Sequence, residues 1–502
     1  MFVRKKINKS GSISVQVISK IKGKSKLIKT IGNSKDDNVI NELIIKAKKF
    51  IDSYGGQQEL DFTDNISSIK SIFNKITKHT EIGTELLLGQ IYDEIGFNQI
   101  DDAIFKYLVF ARLVYPVSKL KTSDYLTKYK GINIPVQQIY RYLDKLYKEQ
   151  KELIQQISYH HTLKILGGQI SVVFYDVTTL YFQIDDEDEI RKRGFSKEGK
   201  HQNPQIVLGL IVSVDGYPLA YEIFEGNKFE GHTMLPVIDR FKEKYNLNKL
   251  VIIADSGLLS HQNIKELQEK GYEFILGARI KNEKQEIKDK ILSLNLKTGE
   301  SAIIEKDDGL KLIISYSDKR ALKDKSNRER GLKRLQKQLK SGKLTKSHIN
   351  NRGYNKYLKM DGEVNISIDM EKFNKDDRWD GLKGYITNTD LSKDEIIENY
   401  GHLWKIEKAF RISKHDLKIR PIYHRLQRRI EAHITINFVA YKVYKELERQ
   451  LKEKKADISP EKAIDIVKTI YQITIIDNGI IFKHNLILTD EQKCLTQLFN
   501  FG

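Results

Sequence analysis

Between residues 170 and 278 the apolar side chains fall into short β-branched and aromatic runs: ISVVFYDVTTLYF, PQIVLGLIVSV and YPLAYEIFEGN, the last two joined through Asp215-Gly216. Runs of this length and composition suit strands, and Asp-Gly suits the tight turn of a hairpin. The segments HTMLPVIDRFKEKYN and HQNIKELQEKG then carry helical spacing, while LVIIADSG and YEFILGA read as buried strands. Alternation of this kind predicts an α/β core on a mixed sheet.

The flanking pattern differs. TELLLGQIYDEIGF, DAIFKYLVFARLVY and PVQQIYRYLDKLYKEQKELIQQI repeat their apolar positions at the helical period, with Pro135 placed to open the last. Gln137, Gln138, Tyr140 and Arg141, early in that helix, suit a helix-turn-helix reader of DNA; a plain helical bundle suits the pattern equally. At the start of the chain, ISVQVISKIKGKSKLIKTIG gives two alternating runs split by Lys-Gly-Lys-Ser, a β-hairpin, followed by the helix NVINELIIKAKKFIDSY. Beyond 278 the core alternation breaks into short strands, SAIIEK, LKLIISYS, EVNISIDM and GLKGYIT, around a charged stretch, and a long helix resumes near 392. This reads as an insertion. RRIEAHITINFVAYKVYKELERQL is a further amphipathic helix, and Ser459-Pro460 supplies an N-cap and first-turn proline for EKAIDIVKTIYQI.

The predicted division is therefore a basic hairpin-and-helix region (1–79), a helical, DNA-binding domain (80–166), a core in two pieces (167–277 and 386–449), a β-rich basic insertion (278–385) and a helical tail (450–502).

Charge adds a partner class. With 86 Lys+Arg against 67 Asp+Glu the formal charge is +19, which favours a polyanion such as nucleic acid; an AT-rich genome, rich in lysine codons, accounts for such an excess as well. Residues 318 to 346 alone hold twelve Lys/Arg and three Asp/Glu, a run that suits a solvated helix or a track of phosphates. A single cysteine, Cys494, excludes internal disulfides and thiolate zinc sites, and the twelve histidines show no paired ligand spacing. No apolar window reaches the length of a membrane span, and MFVRKKINKSGS leads into no apolar leader core, so a soluble cytoplasmic protein is expected.

Three carboxylates stand where an acid is awkward without a partner. Asp176 shares a strand face with Val172 and Phe174, Asp255 ends the buried run LVIIAD, and Glu407 borders an apolar stripe of Leu403, Trp404, Ile406 and Phe410. Singly, each has an ordinary reading as a turn former, a helix cap or a solvated helical acid. Together, on adjoining strands and a facing helix, they suit two divalent cations about 4 Å apart, the arrangement that activates a nucleophile and stabilises a leaving oxygen at phosphorus. Tyr400, Glu407 and Lys414 are spaced by seven, which on one continuous helix places them on one face.

At these residues the chain resembles the DDE transposases of bacterial insertion sequences, in the IS-four superfamily. The acids occur in order at separations of 79 and 152 positions, and the second interval contains the strand-rich insertion. The family's helical signature is matched by Tyr400, Glu407 and Lys414, with Leu403 where the family has arginine. Similarity extends through ARLVYPVSKLK and RGFSKEGKHQNPQIVLGLIVSVDGYPLAYEIFEGNKFEGHTMLPVI. The resemblance implies a ribonuclease-H-like mixed sheet with a β-strand insertion, catalysis and metal binding by Asp176, Asp255 and Glu407, and Mg²⁺ as cofactor with Mn²⁺ able to substitute. It implies double-stranded DNA as partner, both inverted-repeat ends and target, a homodimer on that DNA, and a bacterial cytoplasm with the nucleoid as working location. Tyr400, Lys414, Arg411 and Lys405 are the expected DNA contacts. Trp379, in RWDGLKGY, either stacks a flipped base or anchors the insertion as a core aromatic. A non-catalytic DNA-binding relative and a metal-independent tyrosine recombinase are the competing classes; the latter's His-x-x-Arg pair and late nucleophilic tyrosine are not apparent.

Overall fold

The computed structural model describes residues 1–502 except 22, 55–71, 197–198, 248, 343, 351–352, 362–364, 478 and 502. Lys22 of the first hairpin, Lys197-Glu198 of RGFSKEGK and the start of EVNISIDM therefore lie outside the described residues. Contacts divide the chain into two compact units, 1–78 with 473–483, and 79–472 with 484–502.

In the first unit β1 (Phe2–Ile7), β2 (Ile13–Ile21) and β3 (Lys24–Ser34) form an antiparallel sheet in the order β1-β2-β3, with α1 (Asp37–Tyr54) after it. Val15 and Val17 on β2 are fully buried against Ile40 and Ala47, seven apart on α1. The expected hairpin and helix are present, and FVRKKI adds a third strand. Its lysines lie on an edge strand, where charge blocks further pairing.

The second unit is built on one mixed sheet. After β4 (Ile76–Glu81) come five helices, α2 (Gly83–Ile95), α3 (Ala103–Val114), α4 (Lys119–Lys130), α5 (Val136–Lys145) and α6 (Lys151–Ile165), the last two joined by a wide turn over 146–150. Side chains cap α3 and α4: Asp102 accepts from Ile104 N at 3.0 Å and Ser118 from Lys121 N at 3.4 Å. The core strands follow: β5 (Val172–Tyr181), β6 (Gln205–Ser213) and β7 (Pro218–Glu225) as an antiparallel meander, α7 (Met234–Tyr245), β8 (Val251–Ala254), α8 (His261–Glu269) and β9 (Glu273–Ala278). β8 runs parallel to β5 and β9 parallel to β8.

The insertion begins with α9 (Gln285–Ser293) and adds β10 (Ser301–Glu305), β11 (Lys311–Tyr316), the basic α10 (Asp318–Lys340), a separate hairpin of β12 (Leu358–Asp361) and β13 (Asn365–Ile368), α11 (Met370–Lys375) and β14 (Leu382–Thr387). Three of these strands extend the core, giving the order β10-β11-β14-β9-β8-β5-β6-β7. Three of the insertion's five strands thus enlarge the core sheet, while β12 and β13 form a two-stranded sheet of their own.

Strand alternation divides the sheet's side chains between two cores. Val173, Tyr175, Ile252 and Ala254 face α7 and α8. Phe174, Val251 and Ile253 face the other side, covered by the N-terminal helices, α12 (Lys393–Gly401), α13 (Trp404–His415) and the 27-residue α14 (Gln427–Glu453). α15 (Pro460–Val467), β15 (Tyr471–Asp477), β16 (Ile480–Leu486) and α16 (Asp490–Phe499) end the chain. The α/β class, the mixed sheet with its β-rich insertion, the mostly helical region before it and the N-terminal hairpin are all found. Among the described residues no helix is long and apolar enough to cross a membrane.

Candidate active site

The register of two parallel strands brings the first two acids together. β5 and β8 pair from Val172 with Val251 to Tyr175 with Ala254, so Asp176 and Asp255 are the next residues on the two strands. By alternation Asp176 continues the face of Val172 and Phe174, and Asp255 that of Val251 and Ile253. Both acids therefore belong to the side of the sheet that α12 and α13 cover. Asp176 is half-buried and Asp255 exposed, and each accepts the backbone N–H of its successor, from Val177 at 2.8 Å and from Ser256 at 2.7 Å.

The third acid comes from α13, which packs on β5. Leu403, Ile406, Ala409 and Phe410 are buried in the core shared with Phe174, and Glu407, between them in sequence, is exposed. One expectation is corrected here. The segment from Tyr400 to Lys414 is two helices, broken at His402-Leu403, where successive N–H groups bond three residues back instead of four. Tyr400 thus ends α12, only 5% exposed, and its hydroxyl donates to Asp255 Oδ1 at 3.3 Å. Burial, then the Asp255 charge, push that hydroxyl well above its ordinary pKa, so it remains a donor. Trp404, read as part of the apolar stripe, is 52% exposed.

Lys383 on β14 links the acids electrostatically and was missed in the sequence. Its Nζ lies 4.4 Å from the Tyr400 ring centroid and 5.2 Å from that of Tyr385. Burial, then the Arg320 guanidinium, push its pKa down, while the charges of Asp255 and Glu407 both oppose that shift. One cation is therefore within the field of two of the three acids. The signal was alternation: in LKGYIT, Lys383 shares a face with the buried Tyr385. A further missed acid is Glu230, since a Cβ placed on Gly257 would lie 3.8 Å from Glu230 Oε2 and 4.0 Å from Asp255 Oδ2.

The donor set suits a hard divalent cation in kind: carboxylate oxygens on one side of the sheet, with a phenol holding Asp255. Among the described residues no three of His, Cys, Asp and Glu stand close enough to form a ligand set. The fit is thus one of chemistry and of side, with the acids on a common side of the sheet but not closed around a point.

Beside Ser256 opens a cleft of about 550 Å³ between the core and the insertion, whose lining includes Arg279, Lys281, Arg320, Arg328, Trp379 and Lys383. Arg328 is paired with Asp380, and Lys281 with Asp376 at 2.9 Å. Trp379 is half-buried against the insertion's own core, with Lys281 Nζ 5.9 Å from its ring centroid, and it also lines the cleft. Of the expected DNA contacts on α13, Arg411 is exposed and Lys414 half-buried. Lys405 instead turns to the β6–β7 hairpin, where its Nζ donates to Val214 O and lies 3.7 Å from Asp215.

Among solved structures the chain is similar to a piggyBac transposase synaptic complex with hairpin DNA, with 11% identity over 78% of this chain and 77% of that one and a TM-score of 0.37. It is similar to the Mos1 transposase paired-end complex with the left transposon end, with 9% identity over 37% of this chain and 57% of that one at a TM-score of 0.16. A Mos1 mariner paired-end complex with Mn matches at 10% identity over 46% and 72% and a TM-score of 0.15. Likenesses this distant carry no inference about the site. No curated protein matches. The model of the family described as "Transposase DDE domain" matches residues 167–442, more than half of the 502, and spans Asp176, Asp255 and Glu407. By that match this chain belongs to the family of transposase DDE domains.

Proposed function

We propose that this DDE transposase binds the inverted-repeat ends of an insertion sequence of the IS-four superfamily, on a ribonuclease-H-like core, and catalyses phosphodiester cleavage and strand transfer with Asp176, Asp255 and Glu407. The observation that carries the reading is the parallel register of β5 and β8, which makes Asp176 and Asp255 neighbours on the face that α13 covers. Glu407 joins them through the field it shares with Asp255 at Lys383. The three carboxylates would hold Mg²⁺ or Mn²⁺, which supplies Lewis acidity at phosphorus and lowers the pKa of the attacking hydroxyl or water. The chain's own groups do the rest. Tyr400 orients Asp255 by its hydrogen bond, and the basic cleft beside Ser256 offers charge for the DNA backbone.

DNA ends and target DNA are the partners in this reading, with two copies of the chain acting on one pair of ends. The region 80–166 supplies end binding, with Arg411 and Lys414 nearer the cut. Trp379 either stacks a base freed at the cut or anchors the insertion.

The test is cleavage of end DNA by Asp176→Asn, Asp255→Asn and Glu407→Gln, with binding measured in parallel. Loss of cleavage with binding intact is expected for each, because the shape is kept and a ligand oxygen is removed. Cleavage that persists in any of them, or that resists EDTA and leaves a protein-linked phosphate, overturns the reading.

A further inference from the structure

On the helical side of the second unit four basic side chains lie together, and among the described residues no acid is paired with them. Arg112 in the last turn of α3, Lys119 at the start of α4 and His433 on α14 are 5%, 4% and 6% exposed. His424, half-buried, lies in the segment between α13 and α14 with its ring centroid 5.5 Å from that of His433. Arg112 Nη1 donates to the carbonyls of Leu417 and Lys418 at 3.3 Å, and Nη2 lies 3.5 Å from His433 Nδ1. Since His433 Nε2 lies 2.9 Å from Ile419 O, that nitrogen carries the proton and Nδ1 accepts from Arg112. One hydrogen-bonding need remains unmet, that of Arg112 Nε, which is buried with no partner. Lys119 has neither a hydrogen bond nor an ion pair among the described residues.

Buried charges are ordinarily paired, because transfer from water without a partner is far more costly than one ion pair returns. Among the described residues none of Arg112, Lys119, His424 and His433 forms an ion pair, and the neighbouring charges that act on them are basic: Arg112 on the other three, Lys119 on both histidines and Arg429 on His424. Burial, then those charges, push Lys119 and His433 well below their ordinary pKa values and hold His424 down to about 3, while burial alone lowers that of Arg112. Arg429 shares Asp144 with Arg428. His424 is the half-exposed member, edge-on to Tyr140 at 6.1 Å; Gln138 and Arg141, on the helix of Tyr140, and Arg425, next to His424 in sequence, are exposed.

We infer that Arg112, Lys119 and His424 form a binding site for a single tetrahedral oxyanion, which a phosphodiester of DNA lying across α5 and the segment 420–429 fills. His433 is a positioning residue, fixing Arg112. The choice of DNA as source of the phosphate rests on the transposase reading; the preference for a tetrahedral oxyanion does not.

The test uses the full chain, with Lys119→Met, which keeps the length of the stem without its charge, and His424→Gln at the rim. Melting is followed in inorganic phosphate and in chloride at equal ionic strength, and binding to duplex DNA without transposon ends is titrated against salt. Phosphate should raise the melting temperature of the wild type above that in chloride, with the increment lost in Lys119→Met and reduced in His424→Gln. Without such an increment, a salt slope that falls by about 0.9, one phosphate's worth, in Lys119→Met also supports the site and assigns it to the DNA backbone alone. A phosphate increment in a wild type that binds no duplex removes the DNA reading and leaves the oxyanion site standing. Should Lys119→Met fail to fold, His424→Gln is read against the same outcomes. If neither the increment nor the slope changes in the variants, the proposal is overturned.

Discussion

Gly277 is what allows Tyr400 to reach Asp255: a Cβ at position 277 would stand 2.4 Å from the Tyr400 hydroxyl oxygen and 3.0 Å from Ser256 N. β9 thus gives up a side chain where α12 delivers a phenol to the end of β8. Gly277→Ala should displace both neighbours. We expect a stability loss of about 1–3 kcal/mol, as for overpacking of a tight core, together with slower end cleavage. Denaturant unfolding and a cleavage assay check the pair; an Ala variant with unchanged cleavage would separate Tyr400 from the chemistry.

Tyr400→Phe isolates the hydrogen bond from the packing. The ring keeps its contact with Tyr385, 4.8 Å between centroids, and its place under Lys383, and only the donor to Asp255 is lost. Groups that orient a metal-binding carboxylate typically contribute about 10- to 100-fold in metal affinity or activity. The expected readout is a shift of that order in the Mg²⁺ concentration for half-maximal cleavage, with the melting temperature little changed. A purely structural tyrosine would move stability and leave the metal dependence alone.

Much of this site was legible in advance because it rests on strand alternation and strand ends, which depend on local sequence. The runs SVVFYD and LVIIAD placed two acids at strand positions before any contact was known. Their place on adjoining strands was expected but not fixed by local pattern, since parallel pairing of β5 with β8 is a long-range choice. The seven-residue spacing of Tyr400, Glu407 and Lys414 misled for a physical reason: periodicity describes an unbroken helix, and the tightening at His402-Leu403 carries no Pro or Gly at the break itself. The tail shows the reverse case. YQITIID and IIFKHNL, with Asn478-Gly479 between them, carried a hairpin signal, and both runs are strands rather than parts of a helical tail.

The basic residues of α13 separate by where their charges go. Lys405 is occupied by Val214 O and Asp215 in the hairpin turn, so Lys405→Ala should lower stability and leave the salt dependence of end binding unchanged. Arg411, exposed on the same helix, should behave oppositely: Arg411→Ala is expected to flatten the slope by about 0.9 with little change in melting. Lys414→Ala should follow Arg411→Ala. Titrations of the three variants against salt distinguish the two behaviours.

A pH dependence follows from His161 on α6. Its Nε2 lies 3.7 Å from Glu446 Oε2, yet burial, then the charge of Lys442, hold its pKa down to about 3, with Glu446 only partly opposing them. In the unfolded chain the imidazole titrates near its ordinary value of about 6.5. Between those values the unfolded state binds a proton that the folded state refuses, so stability is fully present above about pH 6.5 and drains away as pH falls. One such group costs at most about 1.4 kcal/mol per pH unit in that window. His161→Gln cannot titrate, and it leaves Glu446 its bonds from Tyr217 at 2.7 Å and Arg449 at 2.6 Å. Urea unfolding between pH 7 and pH 5, above most carboxylate titration, should therefore show a shallower loss in His161→Gln than in the wild type. Equal slopes would mean that the imidazole accepts its proton in the folded protein, with Glu446 outweighing both burial and Lys442.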